Sequence, residues 1–163
     1  MEMKNYMNSF RQVSLLLLTL LLSINALADH KNLIMGRSYE AFPETMSALQ
    51  SEIKNAGYTI SMVQRVDIGL TGMGFKTDKY RVVFFGKLDE IKSLPKKYPK
   101  LTPYLPLAIT IFAEDQETIL ASMSPRFIAP DFIKTEEDNE LKIIFERWEH
   151  DIENIIEKVS NIE

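Results

Sequence analysis

The side chains best suited to holding a metal or moving a proton are scarce in this chain. Its 163 residues include two histidines and no cysteine, so disulfides, thiolate nucleophiles, iron–sulfur clusters and cysteine zinc sites are excluded. His30 follows Asp29. If the chain is cut before Asp29, the new α-amine, one amide nitrogen and the imidazole come within chelating reach of a divalent copper ion, a metal that such nitrogens suit. Asp29 and His30 are the one metal candidate, set against a plain reading as a frayed terminus with an incidental histidine. Met35, Met46, Met62, Met73 and Met123 offer thioethers for reduced copper but lack M-x-x-M spacing, and Met46 and Met62 read as core. His150, between Glu149 and Asp151, falls beside an apolar stripe and reads as solvated rather than as a base or ligand.

Other constellations have simple readings. No Gly-x-Ser-x-Gly elbow is present, which argues against acyl-transfer hydrolysis, and no catalytic residue or cofactor is expected. Gly69, Gly72 and Gly74 suggest a phosphate cradle, which needs backbone N–H groups at a helix N-terminus. Here Phe75-Lys76-Thr77-Asp78 and a strand follow, so a flexible hairpin connection is the better reading. The acidic group Glu136, Glu137, Asp138 and Glu140 suits the start of a helix and lacks the alternating ligands and central glycine of a calcium loop. Lys92, Lys96, Lys97 and Lys100 form a basic patch that would suit anionic lipid head groups or a partner; solvated lysines are the plain alternative.

Residues 1–28 carry the pattern of a secretory signal: Lys4 and Arg11, the apolar run Val13–Ile24, then Ala26-Leu27-Ala28 before a polar stretch. That run falls short of the ~20 residues a spanning helix needs. Cleavage after Ala28 is expected, with export to the periplasm or beyond and no membrane span afterwards. The remainder, 29–163, is expected to form a single domain. The whole chain carries a net charge of −4, and loss of Lys4, Arg11 and Glu2 makes it more acidic, which argues against a nucleic-acid partner. A composition 45% hydrophobic and 26% charged is that of a folded domain.

Periodicity then predicts a β-α-β-β-α-β-β-α order. A strand at 33–38 precedes a helix opened by Pro43 and closed near Gly57, with Phe42, Met46, Leu49, Ile53 and Ala56 at helical spacing. Tyr58–Val66 reads as a strand with Ile60, Met62 and Val66 on one face, and Tyr80–Phe85 as the next. A short helix stops at Pro95, and the proline-rich 98–106 reads as a stiff extended loop. Strands at 107–113 and 118–123 flank the turn Glu114-Asp115-Gln116, and an irregular segment spans 124–139. Leu141, Ile144, Phe145, Trp148, Ile152, Ile155, Ile156 and Val159 predict a terminal amphipathic helix over about 140–161, capped by Asp138 or Asn139. Hairpin-linked strands separated by helices give an α+β fold, an antiparallel sheet with helices on one face.

Two strands break the alternation expected of a sheet with one wet face. Val82, Val83, Phe84 and Phe85 are apolar without interruption, and Leu107, Ile109, Ile111 and Phe112 add to them. Exposed groups of this size forfeit about 1.5–3 kcal/mol each, so a cover for the face opposite the helices is expected. Val83, Phe85, Phe84 and Phe112 are the interface candidates, against a plain reading as central-strand residues capped by 124–139.

Ala56-Gly57, a strand, the Val82–Gly86 strand end, a proline-rich loop, the Leu105-Pro106-led strand and Glu114-Asp115 with its partner strand together resemble the domain-of-unknown-function family 302 (DUF302). The resemblance covers Phe42–Met123. It implies a curved antiparallel sheet with helices, similar to the TATA-binding-protein-like architecture, and supplies no functional residues. Where the family commonly has Asn-Pro after the strand-ending glycine, this chain has Lys87-Leu88. The leading expectation is a non-enzymatic exported module that uses an apolar sheet face to bind an identical subunit or an envelope protein. Carriage of a small apolar ligand or a metal is the alternative, and a hydrolytic enzyme the least favoured.

Overall fold

The computed structural model describes residues 32–135 and 138–160; the expected signal segment, the Asp29–His30 pair and Glu136–Glu137 lie outside them. Five strands form one open antiparallel sheet: β1 (Leu33–Ser38), β2 (Thr59–Arg65), β3 (Tyr80–Gly86), β4 (Leu107–Glu114) and β5 (Glu117–Met123), in the order β1-β5-β4-β3-β2. β2 to β5 form a meander, while β1 and β2 run in the same direction at opposite edges. The helix α1 (Phe42–Asn55) makes that crossover, with Pro43 in its first turn and Gly57, at φ +80°, just past its end, where glycine carries no Cβ penalty. Its Phe42, Leu49 and Ile53 are buried in the core it shares with the terminal helix α5 (Asn139–Ser160), whose Leu141, Phe145, Trp148, Ile152, Ile155, Ile156 and Val159 are likewise buried. The expected α+β fold is therefore present, its core between the two helices and the inward residues Val83, Phe85, Leu107, Ile109, Ile111 and Leu120.

Several connections differ from expectation. Val66–Gly72, read as hairpin connection, is a short helix α2. Its Asp67 carboxylate pairs with the Arg81 guanidinium of β3, whose carbon lies 5.9 Å from the centre of the Phe42 ring. Helix α3 (Leu88–Lys97) passes through Pro95 because a proline within two residues of the end spoils little of the remaining ladder. The proline-rich segment tightens into a 3-10 turn, Pro99–Tyr104, where the Thr102 hydroxyl donates to the Pro99 carbonyl at 2.7 Å. The segment after β5 is ordered too, as the one-turn helix α4 (Pro125–Ile128) and a 3-10 turn at Ala129–Asp131. Asp138 precedes α5 and accepts from the backbone N–H groups of Lys134 and Thr135 at 2.8 and 3.0 Å; it ties the loop rather than the helix.

The Arg81 guanidinium beside Asp67 holds that carboxyl below its usual 3.8. A depressed folded value contributes stability above the unfolded pKa and loses it as pH falls through the folded one. We expect the fall in stability below about pH 4 to be shallower in Asp67→Asn than in the parent, read by urea midpoints at successive pH values; parallel curves would count against the pair.

Candidate functional site

The face of the sheet turned away from α1 and α5 is built by strand alternation. On β3 it takes Tyr80, Val82 and Phe84; on β4, Ala108, Thr110 and Phe112; on β5, Ile119, Ala121 and Met123; on β1, Leu33, Met35 and Arg37. The register pairs Tyr80 with Phe112, Phe84 with Ala108, Met35 with Ala121 and Leu33 with Met123. Leu33, Met35, Met62 and Met123 are 52%, 56%, 51% and 51% exposed, while Phe84 and Phe112 are half-buried between their neighbours. Tyr80 and Phe112 meet edge-to-face at 6.2 Å, and beside them, with Thr77–Lys79 and Thr110, opens a hollow of about 460 Å³. Charge lies at the margins, where Arg37 reaches Glu117 and Glu114, the latter at 3.7 Å, and where Asp78 and Lys79 line the hollow.

Two interface candidates are corrected here. Val83 and Phe85 are 0% exposed and sit under the helices, opposite Ile109 and Leu107. Successive residues of a strand point to opposite faces, so only Phe84 and Phe112 of the four belong to the outer face. Met62 moves the other way. A bulge between Ile60 and Met62 shifts the pairing of β2, leaving Ile60 against the core and turning Met62 outward, as one inserted residue must.

A second constellation joins β2, α3 and α5. The Tyr58 hydroxyl donates to Asp151 Oδ2 at 2.6 Å and accepts from Arg147 Nη1 at 3.3 Å; Arg147 also pairs with Glu90, whose other oxygen accepts from Trp148 Nε1 at 3.0 Å. Burial, with the Asp151 carboxylate next in effect, pushes the Tyr58 phenol well above its ordinary value, so it stays neutral and serves as a hydrogen-bond bridge. Each polar group here answers another, which is the arrangement of a strut rather than of a reactive centre.

The match to the DUF302 family profile runs over residues 36–159. The chain belongs to the DUF302 family. Among solved structures, an uncharacterized conserved DUF302 protein from Bacillus stearothermophilus is similar, with a TM-score of 0.68 at 15% identity over 78% of this chain and 98% of that one; at that identity the likeness concerns the fold. No curated protein matches. The family match extends beyond Phe42–Met123 at both ends, taking in nearly all of the terminal helix and the second half of β1.

Other candidate residues of this DUF302 protein fall in ordinary places. His150 is exposed, its Nε2 3.0 Å from the Asn154 amide nitrogen. Lys97 pairs with Glu140 and stands 5.3 Å from the Tyr98 ring centre; Lys92, Lys96 and Lys100 are exposed. Gly69 and Gly72 lie within α2, and Gly74 has φ +90° beyond it. No group of three or more metal-binding side chains occurs among the described residues, and none of their helices is long and apolar enough to cross a membrane. Sequence reading missed Glu149, which is 5% exposed and accepts from the Ser124 hydroxyl at 2.8 Å and the Arg126 backbone N–H at 3.0 Å. Its place on the stripe, one residue after Trp148, was the available signal.

Proposed function

We propose that this DUF302 protein is an exported, non-catalytic interaction module whose outer sheet face binds a second copy of the same chain. The observation that carries the reading is the run of apolar side chains across the outer face, with Phe84 and Phe112 near its middle and Leu33, Met35, Met62 and Met123 half exposed around them. Contiguous apolar surface of this kind marks interaction sites. An acidic molecule repels its copies, yet the charges of this face lie at its margins and include both signs, Arg37 with Glu117 on one side and Lys79 with Asp78 beside the hollow. A two-fold axis along the central strand β4 would set the projecting edge at β1 on one copy against the β2–β3 side of the other, a self-complementary arrangement. Sheets packed this way interdigitate their facing side chains.

Light scattering across a concentration series tests it. The expected result is a mass twice that of the chain for the parent, and association weakened about 30-fold or more in Phe84→Glu and in Phe112→Glu, the loss of a central anchor. Phe84→Leu should keep the larger mass. A parent that stays at single-chain mass, or charge variants that associate as the parent does, would overturn the reading. Export is checked in the same sample, because intact mass of protein from the cell envelope should correspond to a chain starting at Asp29.

A further inference from the structure

We propose a binding site for an aliphatic carboxylate in the cleft between the start of α5 and the turn that follows α4, independent of association through the sheet. The cleft is about 430 Å³, within the range of small-molecule sites. Its floor is apolar: the buried Phe145 ring, with Ile133, Ala129 and Pro130 around it. Its described rim carries two cations. Arg126 and Lys142 line it from opposite elements, and neither has an ion-pair partner among the described residues. Lys134 adds a third positive charge nearby, its Nζ bound at 2.6 Å to the carbonyl of Pro130. Asn139, the first residue of α5, also lines the cleft, so the positive end of the helix dipole lies there. Among the described lining residues Glu146 is the one acidic group, a helical turn beyond Lys142.

An occupant must therefore pair an apolar body with one anionic end. The chain fills the space over Phe145 and Ile133, and the carboxylate takes charge-assisted hydrogen bonds from Lys142 and Arg126. A neutral alcohol of the same length would leave those cations unanswered, and a short acid would leave the floor bare.

The protein carries its own reporter. Trp148 is the only tryptophan, and its ring centre lies 5.4 Å from that of Phe145. Titration with decanoate should give a saturable change in Trp148 emission and a matching calorimetric isotherm. Lys142→Gln and Arg126→Gln, both at exposed positions, should each weaken binding about tenfold, with near-ultraviolet circular dichroism unchanged. Decanol and acetate should bind more weakly than decanoate by a similar factor. The assignment is overturned if neither fluorescence nor calorimetry detects decanoate binding, or if both variants bind as the parent does. It is equally overturned if decanol matches decanoate, or if phosphatidylglycerol vesicles alone produce the response, which would indicate a lipid surface instead of a single-chain acid.

Discussion

Replacing Gly36 by valine is expected to cost about 3 kcal/mol, the scale of a severe overpacking. Gly36 lies on β1 opposite Leu120, on the face that α5 covers. A Cβ built there would stand 2.6 Å from Ile156 Cγ2 and closer still to Ser160 Oγ. Ser160 is tied to the Ile156 carbonyl at 2.7 Å, and Ile156 is stiff at χ1 as a β-branched residue within a helix, so the easy relaxations are blocked. Helix and strand would have to move apart. Urea denaturation of Gly36→Val, Ile156→Ala and the double variant measures this. The double variant should be more stable than the sum of the separate losses implies, by about 1 kcal/mol or more, because the truncated side chain vacates the space the new one needs. Strict additivity would mean that the close approach is not the cause.

Glu149→Ala is the other large effect, about 2–4 kcal/mol. The Ser124 hydroxyl and the Arg126 N–H both end on this carboxylate, and Ser124 is itself buried. Removing the acceptor leaves two donors in a nearly dry place, at about 1–3 kcal/mol for each buried group left unanswered. Glu149→Gln keeps one acceptor oxygen and should lose about 1 kcal/mol. Ser124→Ala should fall between the two or below both. If Glu149→Ala matched the parent in denaturation and in amide exchange at Arg126, the carboxylate would not be what anchors the segment after β5 to the terminal helix.

The two long helices were legible because their apolar spacing is regular: every buried position of α5 lies on the stripe and all but Glu149 are apolar, and Pro43 and Gly57 punctuate α1. The strands were legible as strands, but not their facing. In Val82–Phe85 the side chains are apolar on both sides, so composition carries no sign of which pair lies inward. The answer comes from long-range pairing with β4 and from where the helices lie. Met62 could not be placed because a bulge leaves no mark in the residue types of β2. Helix α2 was concealed by glycines that ordinarily disfavour a helix interior by about 1 kcal/mol; Asp67 engaging Arg81 on a distant strand outweighs that local preference. The cleft at the start of α5 draws on Arg126, Ile133 and Lys142, which no local pattern connects. On the outer face, Phe84 and Phe112 were singled out by size alone, and Met35 and Met123 only by their register.

The placement of β1 also sets an order of assembly. Leu33 to Ser38 leave the ribosome before the other four strands, yet their hydrogen-bonding neighbours are Thr118 to Met123 of the last strand. The meander from β2 to β5 joins strands that are neighbours in sequence, whereas β1 must find a partner 80 to 90 residues away, the slow kind of contact in folding. Until that search ends, β5 has a vacant flank, for which the first strand of a neighbouring molecule competes only at high concentration, because the tether favours the chain's own strand. Refolding from urea at high concentration is therefore expected to give more dimer that trades first strands than refolding at low concentration, read by size-exclusion chromatography; equal yields would count against it.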